Sequence, residues 1–184
     1  MHFTPTPKLV IGMMVLGLSA FVAFASPPQT TQESGKFLQV VGSVQLNGTN
    51  ALAGATVLSD SLITTGQNSS AVVSLGKLGR LDVLPQTIAE LTFGNRGVSV
   101  ELEAGRVKLS SSQNVLALVR TNDGVVLTTS DQRNEFTVDV SCGNTFVSVA
   151  KGSVELRAGG TVKQIAAGNQ DSAGTAVPGC TPAP

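Results

Sequence analysis

From Phe37 onward, apolar and polar positions alternate in short runs. In segment 98–103 the apolar set is Val98, Val100 and Leu102, with Ser99, Glu101 and Glu103 between them. Segment 135–141 sets Phe136, Val138 and Val140 against Thr137 and Asp139, and Ala89, Leu91 and Phe93 alternate with Glu90 and Thr92. A period of two sends successive side chains to opposite faces, so each segment predicts a strand with one buried and one wet face. Segments 115–119 and 125–128 are more continuously apolar, which predicts strands in central positions. Turn clusters punctuate the runs every eight to twelve residues or so, the spacing of a β-sandwich, barrel or β-helix. Examples are Asn47-Gly48, Gly66-Gln67-Asn68, Asn122-Asp123-Gly124, Cys142-Gly143-Asn144 and Gly159-Gly160. The expected fold is all-β: β-helix-like or a double-layered β-sandwich of many short strands with glycine turns.

One phrase, G-x-V-x-L, occurs three times, beginning at Gly42, Gly105 and Gly152. The copies lie 63 and 47 residues apart (105 − 42 and 152 − 105), too unequal for a strict solenoid. They predict one β unit reused along the chain. Gly42, Gly48, Gly54, Gly66, Gly105 and Gly152 are the expected structural turns, at positions where a positive φ is tolerated.

The ends read differently. Residues 1–25 hold an apolar run after Lys8 and finish in Ala23-Phe24-Ala25, the pattern of a cleavable signal peptide or, if uncut, an N-terminal anchor. Residues 26–36 are polar and Pro-containing and predict a linker. Residues 37–170 form the expected domain, and 171–184, rich in Gly, Ala, Thr and Pro, a flexible tail. The protein is therefore expected outside the cytoplasm, periplasmic or extracellular, touching membrane only through its N-terminal segment.

Cleavage would narrow the available chemistry. It removes His2, the only histidine, and Lys8, leaving 11 basic against 12 acidic side chains. A nearly neutral chain has no electrostatic pull toward nucleic acid. Without histidine, histidine-based acid–base or nucleophilic catalysis is excluded, and the two remaining cysteines cannot complete a zinc or copper shell. Glu101 and Glu103 share a strand face, as a glycosidase pair could. A solvated sheet face, with Lys108 across the turn, explains them better. Asn122-Asp123 and 131–135 concentrate oxygen ligands but lack a calcium-loop layout, and turn chemistry accounts for them. Beyond residue 25 the aromatics are Phe37, Phe93, Phe136 and Phe146, all on apolar faces and expected in the core, which argues against a sugar-stacking platform. No enzyme, cofactor or metal site is expected.

Cys142 and Cys180 remain, 38 positions apart. In an oxidising compartment a disulfide is the expected state, the alternative being two unpaired thiols.

The motifs, in order, resemble the FecR domain family of bacterial envelope proteins. The first half reads Val41-Gly42-Ser43-Val44, Gly54-Ala55-Thr56-Val57, Ile63-Thr64-Thr65-Gly66, Ser69-Ser70-Ala71, Pro85-Gln86-Thr87 and Gly105-Arg106-Val107. The second reads Phe136-Thr137-Val138, Val147-Ser148-Val149, Gly152-Ser153-Val154 and Ala167-Gly168. The resemblance spans about 38–170. It implies turns at Gly54, Gly66, Gly105 and Gly152, with Thr64, Thr65, Ser69 and Thr87 satisfying turn backbone through their hydroxyls. Where the family often has G-T-x-F, this chain has Arg133-Asn134-Glu135-Phe136, so that turn is expected to differ. About eight residues precede the apolar run, so the anti-sigma segment of iron-uptake regulators in the family is not expected to transfer. The implied function is a non-enzymatic interaction module for protein binding, envelope signalling or assembly. Its partner would meet a sheet face or an open coil end. A peptidoglycan or glycan binder is the alternative.

Overall fold

The structure, a computed structural model, describes residues 34–95, 97–129, 131–175 and 177–180. The expected signal or anchor, most of the linker and residues 181–184 lie outside the described residues. Among the described residues no helix is long and apolar enough to cross a membrane.

Among the described residues sixteen strands join in one mixed sheet that folds into two layers over a shared core. In the first layer the hydrogen-bonded order is β4 (Thr56–Val57), β1 (Gly35–Val41), β6 (Ser70–Ser74), β7 (Gly79–Val83), β9 (Gly97–Ser111), β12 (Asn134–Ser141), β13 (Asn144–Lys151) and β16 (Gln170–Gly174). In the second it is β3 (Thr49–Asn50), β2 (Val44–Leu46), β5 (Ser61–Thr65), β8 (Ile88–Gly94), β9 again, β10 (Leu116–Arg120), β11 (Val125–Thr128), β14 (Ser153–Ala158) and β15 (Thr161–Ala166). The long β9 belongs to both layers. Its first half pairs with β8 and β10, and its second half, from Gly105, with β7 and β12. The sheet does not close into a barrel. Among the described residues the strand pairings are antiparallel except β9–β10, where the chain wraps through the other layer and returns parallel to itself.

The alternation read from sequence is the burial pattern. Val98, Val100 and Leu102 are buried while Glu101 and Glu103 are exposed, and Ala89, Leu91 and Phe93 turn inward. The core is mostly Val and Leu, with Phe37 and Phe136 fully enclosed. β10 and β11 are central in hydrogen-bonding order but not buried on both faces: Leu116 is exposed while Ala117 and Val119 are buried. The strands also run past the expected limits, beginning at Gly35 and ending with β16 at Gly174.

The three G-x-V-x-L copies are three layer crossings built alike. Gly42 lies between β1 and β2, Gly105 where β9 changes layer, and Gly152 between β13 and β14, all at positive φ (71°, 85° and 78°). Each glycine faces a buried polar side chain from a neighbouring segment: Ser69, Thr87 and Asn134 respectively. That side chain accepts the N–H of the residue after the glycine. Ser43 N donates to Ser69 Oγ at 2.9 Å, Arg106 N to Thr87 Oγ1 at 2.9 Å, and Ser153 N to Asn134 Oδ1 at 3.1 Å. It also reaches back two residues: Ser69 Oγ donates to Gln67 O, Thr87 Oγ1 to Pro85 O, and Asn134 Nδ2 to Gln132 O. A strand leaving one layer abandons its ladder partners, and an unpaired buried amide costs about 1–3 kcal/mol. One side chain per crossing removes that cost.

Gly48 and Gly54 are at positive φ as expected, whereas Gly66 is not among the positive-φ residues. Gly66 instead links crossings, its N–H donating to Ser43 O at 2.9 Å and its carbonyl accepting from Gln86 N at 3.0 Å. Thr65 joins the same stack, accepting from Thr87 N at 3.0 Å.

Cys142 and Cys180 are bonded, with Cα atoms 5.6 Å apart, and Val177 N donates to Cys142 O at 2.8 Å. The bridge thus ties the segment after β16 to the β12–β13 turn. Closing a loop of 38 residues is worth about 3–4 kcal/mol in the chain-entropy picture. Denaturant unfolding of the Cys142→Ser, Cys180→Ser double variant is expected to show a loss of that size. Unchanged stability would mean that the unfolded chain gains nothing from the bridge.

Candidate functional site

Two features stand out on this scaffold: a polar groove on the outer face of the first layer, and an unpaired strand edge in the second.

The groove follows from strand parity. On β12 the inward residues are Phe136 and Val138, so Glu135, Thr137 and Asp139 face outward. On β13 the inward set is Thr145, Val147 and Val149, which places Phe146 and Ser148 outward. This corrects the expectation that all four phenylalanines are core: Phe37, Phe93 and Phe136 are buried, whereas Phe146 is half-buried and lines the groove. Thr145 can take the inward place because its hydroxyl donates to Asp123 Oδ2 at 3.0 Å and lies 2.7 Å from the Thr121 hydroxyl.

Strand register lines these side chains up in rows. Arg106, Asp139, Phe146 and Ser172 form one, and Lys108, Thr137, Ser148 and Gln170 the next. Together they line a cavity of about 750 Å³. A smaller hollow of about 320 Å³ adjoins it, sharing Leu84, Arg106 and Asp139. Asp139 is only 8% exposed although it faces outward. Arg106 Nε donates to Asp139 Oδ2 at 2.6 Å and Nη2 reaches the same oxygen at 2.5 Å. A charge this enclosed needs its partner, since the desolvation cost would otherwise go uncompensated.

Beside the groove, Glu135 bridges Lys108 at 2.5 Å and Lys151 at 2.9 Å. Hydrogen bonds from Lys108 first, then Lys151, hold its carboxyl at about 2, below the ordinary 4.5. A value lowered by folding means the tie contributes fully above about pH 4.5 and is lost as pH falls toward 2. Thermal melts of wild type are expected to fall across that window, and those of Glu135→Gln to fall less while starting lower at neutral pH. Parallel curves would show that the bridge contributes nothing.

The edge is β15. Among the described residues it pairs with β14 alone. The two form a hairpin across Gly159-Gly160, both at positive φ, with Ala158 opposite Thr161. In such a two-residue hairpin the closing pair is hydrogen-bonded and pairs then alternate. The backbone groups of Val162 and Gln164 therefore point to the open side. Val162 is 56% exposed, and Lys163 reaches across to β16, bonding Asp171 at 2.7 Å and Ser172 O at 3.0 Å. The opposite ends of both layers are closed by two-residue strands, β3 and β4, which offer far less edge.

The remaining sequence candidates separate. Glu101 pairs with Arg120 at 3.2 Å, and not with Lys108, which belongs to Glu135 in the other layer. Asn122-Asp123 forms the β10–β11 turn, with Asp123 N and Gly124 N donating to Thr121 Oγ1. Asn134, at the point where the sequence departs from the G-T-x-F pattern, does at its crossing what Thr87 does at another. Sequence reading missed that role. Its signal is the interval: Thr87 and Asn134 each precede their glycine by 18 residues (105 − 87 and 152 − 134).

No family model and no curated protein matches the sequence. Among solved structures, two crystal structures of a "putative anti-sigma factor" from Parabacteroides distasonis ATCC 8503, at 1.65 and 2.50 Å resolution, resemble the chain. Each has a TM-score of 0.53 and 19% identity over 60% of this chain and 53% of that one. The chain spans about half the length of that protein, and at this identity what is shared is the fold.

Proposed function

We propose that this chain is a non-enzymatic, FecR-like interaction module of the bacterial envelope, exported and acting by contact with a partner protein. The carrying observation is the β15 edge. Six residues of extended chain present unpaired backbone groups beside an exposed valine, the arrangement that accepts an added strand from a partner. Lys163 guards this edge against indiscriminate pairing, because an added strand must leave its tie to Asp171 intact. Export is supported by the disulfide, which persists in oxidising compartments. The neighbouring anti-sigma fold supports a signalling role, and the FecR resemblance supports the envelope. The exposed Glu101 and Glu103 carboxylates line a shallow hollow of about 250 Å³, where Arg120 pairs with Glu101 at 3.2 Å.

The test is capture from an envelope fraction by wild type and by Val162→Pro. Proline removes an outward donor and leaves the β14 ladder whole. The variant should melt as wild type does and lose the captured protein. Equal capture by both would overturn strand addition at this edge. A dimer that Val162→Pro dissolves would identify the added strand as a second copy and overturn the partner-protein reading.

A further inference from the structure

We infer that the groove on the first layer binds a short segment of an uncharged glycan, about two or three sugar rings long. This goes beyond the protein contact proposed for β15, and the two surfaces lie on different strands.

The argument starts from what the groove offers. It lies on a sheet face, where backbone donors and acceptors are already used in the ladders between β9, β12, β13 and β16. A peptide added as a β-strand gains its affinity from free backbone groups, which an edge supplies and a sheet face does not. What remains here is side-chain chemistry: the hydroxyls of Thr137, Ser148 and Ser172 and the amide of Gln170, arranged by register beside the Phe146 ring. Adjacent strands stand about 4.8 Å apart and alternate residues along a strand nearly 7 Å apart, so polar atoms recur at the spacing of hydroxyls around a pyranose and its neighbour. The ring gives the apolar C–H face of one sugar a surface to cover.

Charge narrows the choice further. The titratable residues lining the groove are Arg106, Lys108, Asp139 and Asp171, two of each sign, the last with its carboxylate turned to Lys163. Arg106 is bound to Asp139, Lys108 to Glu135 and Asp171 to Lys163. An anionic polymer would have to compete with these carboxylates for their cations. A neutral, hydroxyl-rich ligand can instead bond to the outer lone pairs and N–H groups of intact pairs. The volume of about 750 Å³ lies in the range of small-ligand clefts, roughly 300–1,000 Å³.

The test is titration of the isotope-labelled protein with chitotriose, cellotriose and maltotriose, and with trigalacturonate as the anionic arm, followed by amide chemical shifts. At least one neutral trisaccharide is expected to saturate, with shifts concentrated at Thr137, Phe146, Ser148 and Gln170. Phe146→Ala should weaken it about tenfold or more. Gln170→Ala, on the edge strand β16, should weaken it several-fold, and serves if the Phe146 variant does not fold. Val162→Pro should leave it unchanged, so loss of the protein partner and loss of the sugar are separable. No saturation by any neutral trisaccharide at roughly 20 mM, an affinity beyond the weak end of specific binding, would overturn the inference. So would preference for trigalacturonate, or shifts located away from these strands.

Discussion

Gly105→Ala is expected to cost roughly 2–5 kcal/mol, the largest loss among the three crossing glycines, from a left-handed backbone position and an occupied space together. The residue sits at φ 85°, and an added Cβ would lie within 3.0 Å of the Gln86 carbonyl and of Thr87 Oγ1 and Cα. Two of those atoms are backbone and cannot rotate away. Gly152 and Gly42 have the same φ sign but meet side-chain atoms first, Asn134 Oδ1 and Ser69 Oγ, so their alanine variants should lose less. Gly48, at φ 78° with open space around it, isolates the conformational part and should cost about 1–2 kcal/mol. Denaturant unfolding of the four variants measures the order directly. Equal losses at Gly105 and Gly48 would show that the crossing is not sterically closed.

Thr87→Val should be nearly as damaging although it keeps the shape. The Thr87 hydroxyl accepts from Arg106 N at 2.9 Å and lies 3.1 Å from Arg106 O and 3.3 Å from Pro85 O, at a residue with 0% exposure. Valine leaves the Arg106 N–H without this acceptor, and an unmade hydrogen bond at a buried site costs about 1–3 kcal/mol. Thr87→Ser, which keeps the hydroxyl, should recover most of the loss. If valine is tolerated and serine is not, methyl packing and not the hydrogen bond holds the crossing. Because Arg106 also carries the ion pair to Asp139, the valine variant should disturb the groove as well as the core.

Much of this fold is written locally. A strand such as 98–103 declares both its conformation and its buried face, because alternation needs only neighbouring residues. Which layer each strand joins is not local: it depends on where the chain crosses. The glycines of the three repeats mark those places, but the residues that complete them lie 18 or 27 positions away (Ser69 is 69 − 42 from its glycine). Asn134 read as a departure from a pattern, yet the crossing requires a short polar side chain and asparagine supplies one. Phe146 failed for a related reason. Segment 145–149 carries apolar residues on both parities, and the larger ring suggested the wrong one. The buried acceptor at Asp123, over 20 positions back (145 − 123 = 22), lets Thr145 point inward and turns the ring out. The groove was therefore hidden in the sequence, and nothing in segment 161–166 marked it as an edge strand.

The two surfaces divide the chemistry between them. The β15 edge offers backbone groups and suits an extended chain, while the groove offers hydroxyls, an amide and paired charges around one ring. Ser69, Thr87 and Asn134, committed to the layer crossings, belong to neither surface.

Backbone amide hydrogen exchange of β15, with the protein alone and then in its captured complex, tests the proposed contact most directly. Val162 and Gln164 should exchange freely in the isolated protein and become protected on capture, while the outward amides' neighbours in the β14 ladder change little. Protection already complete in the isolated protein, or exchange at Val162 and Gln164 unaffected by the partner, would contradict it.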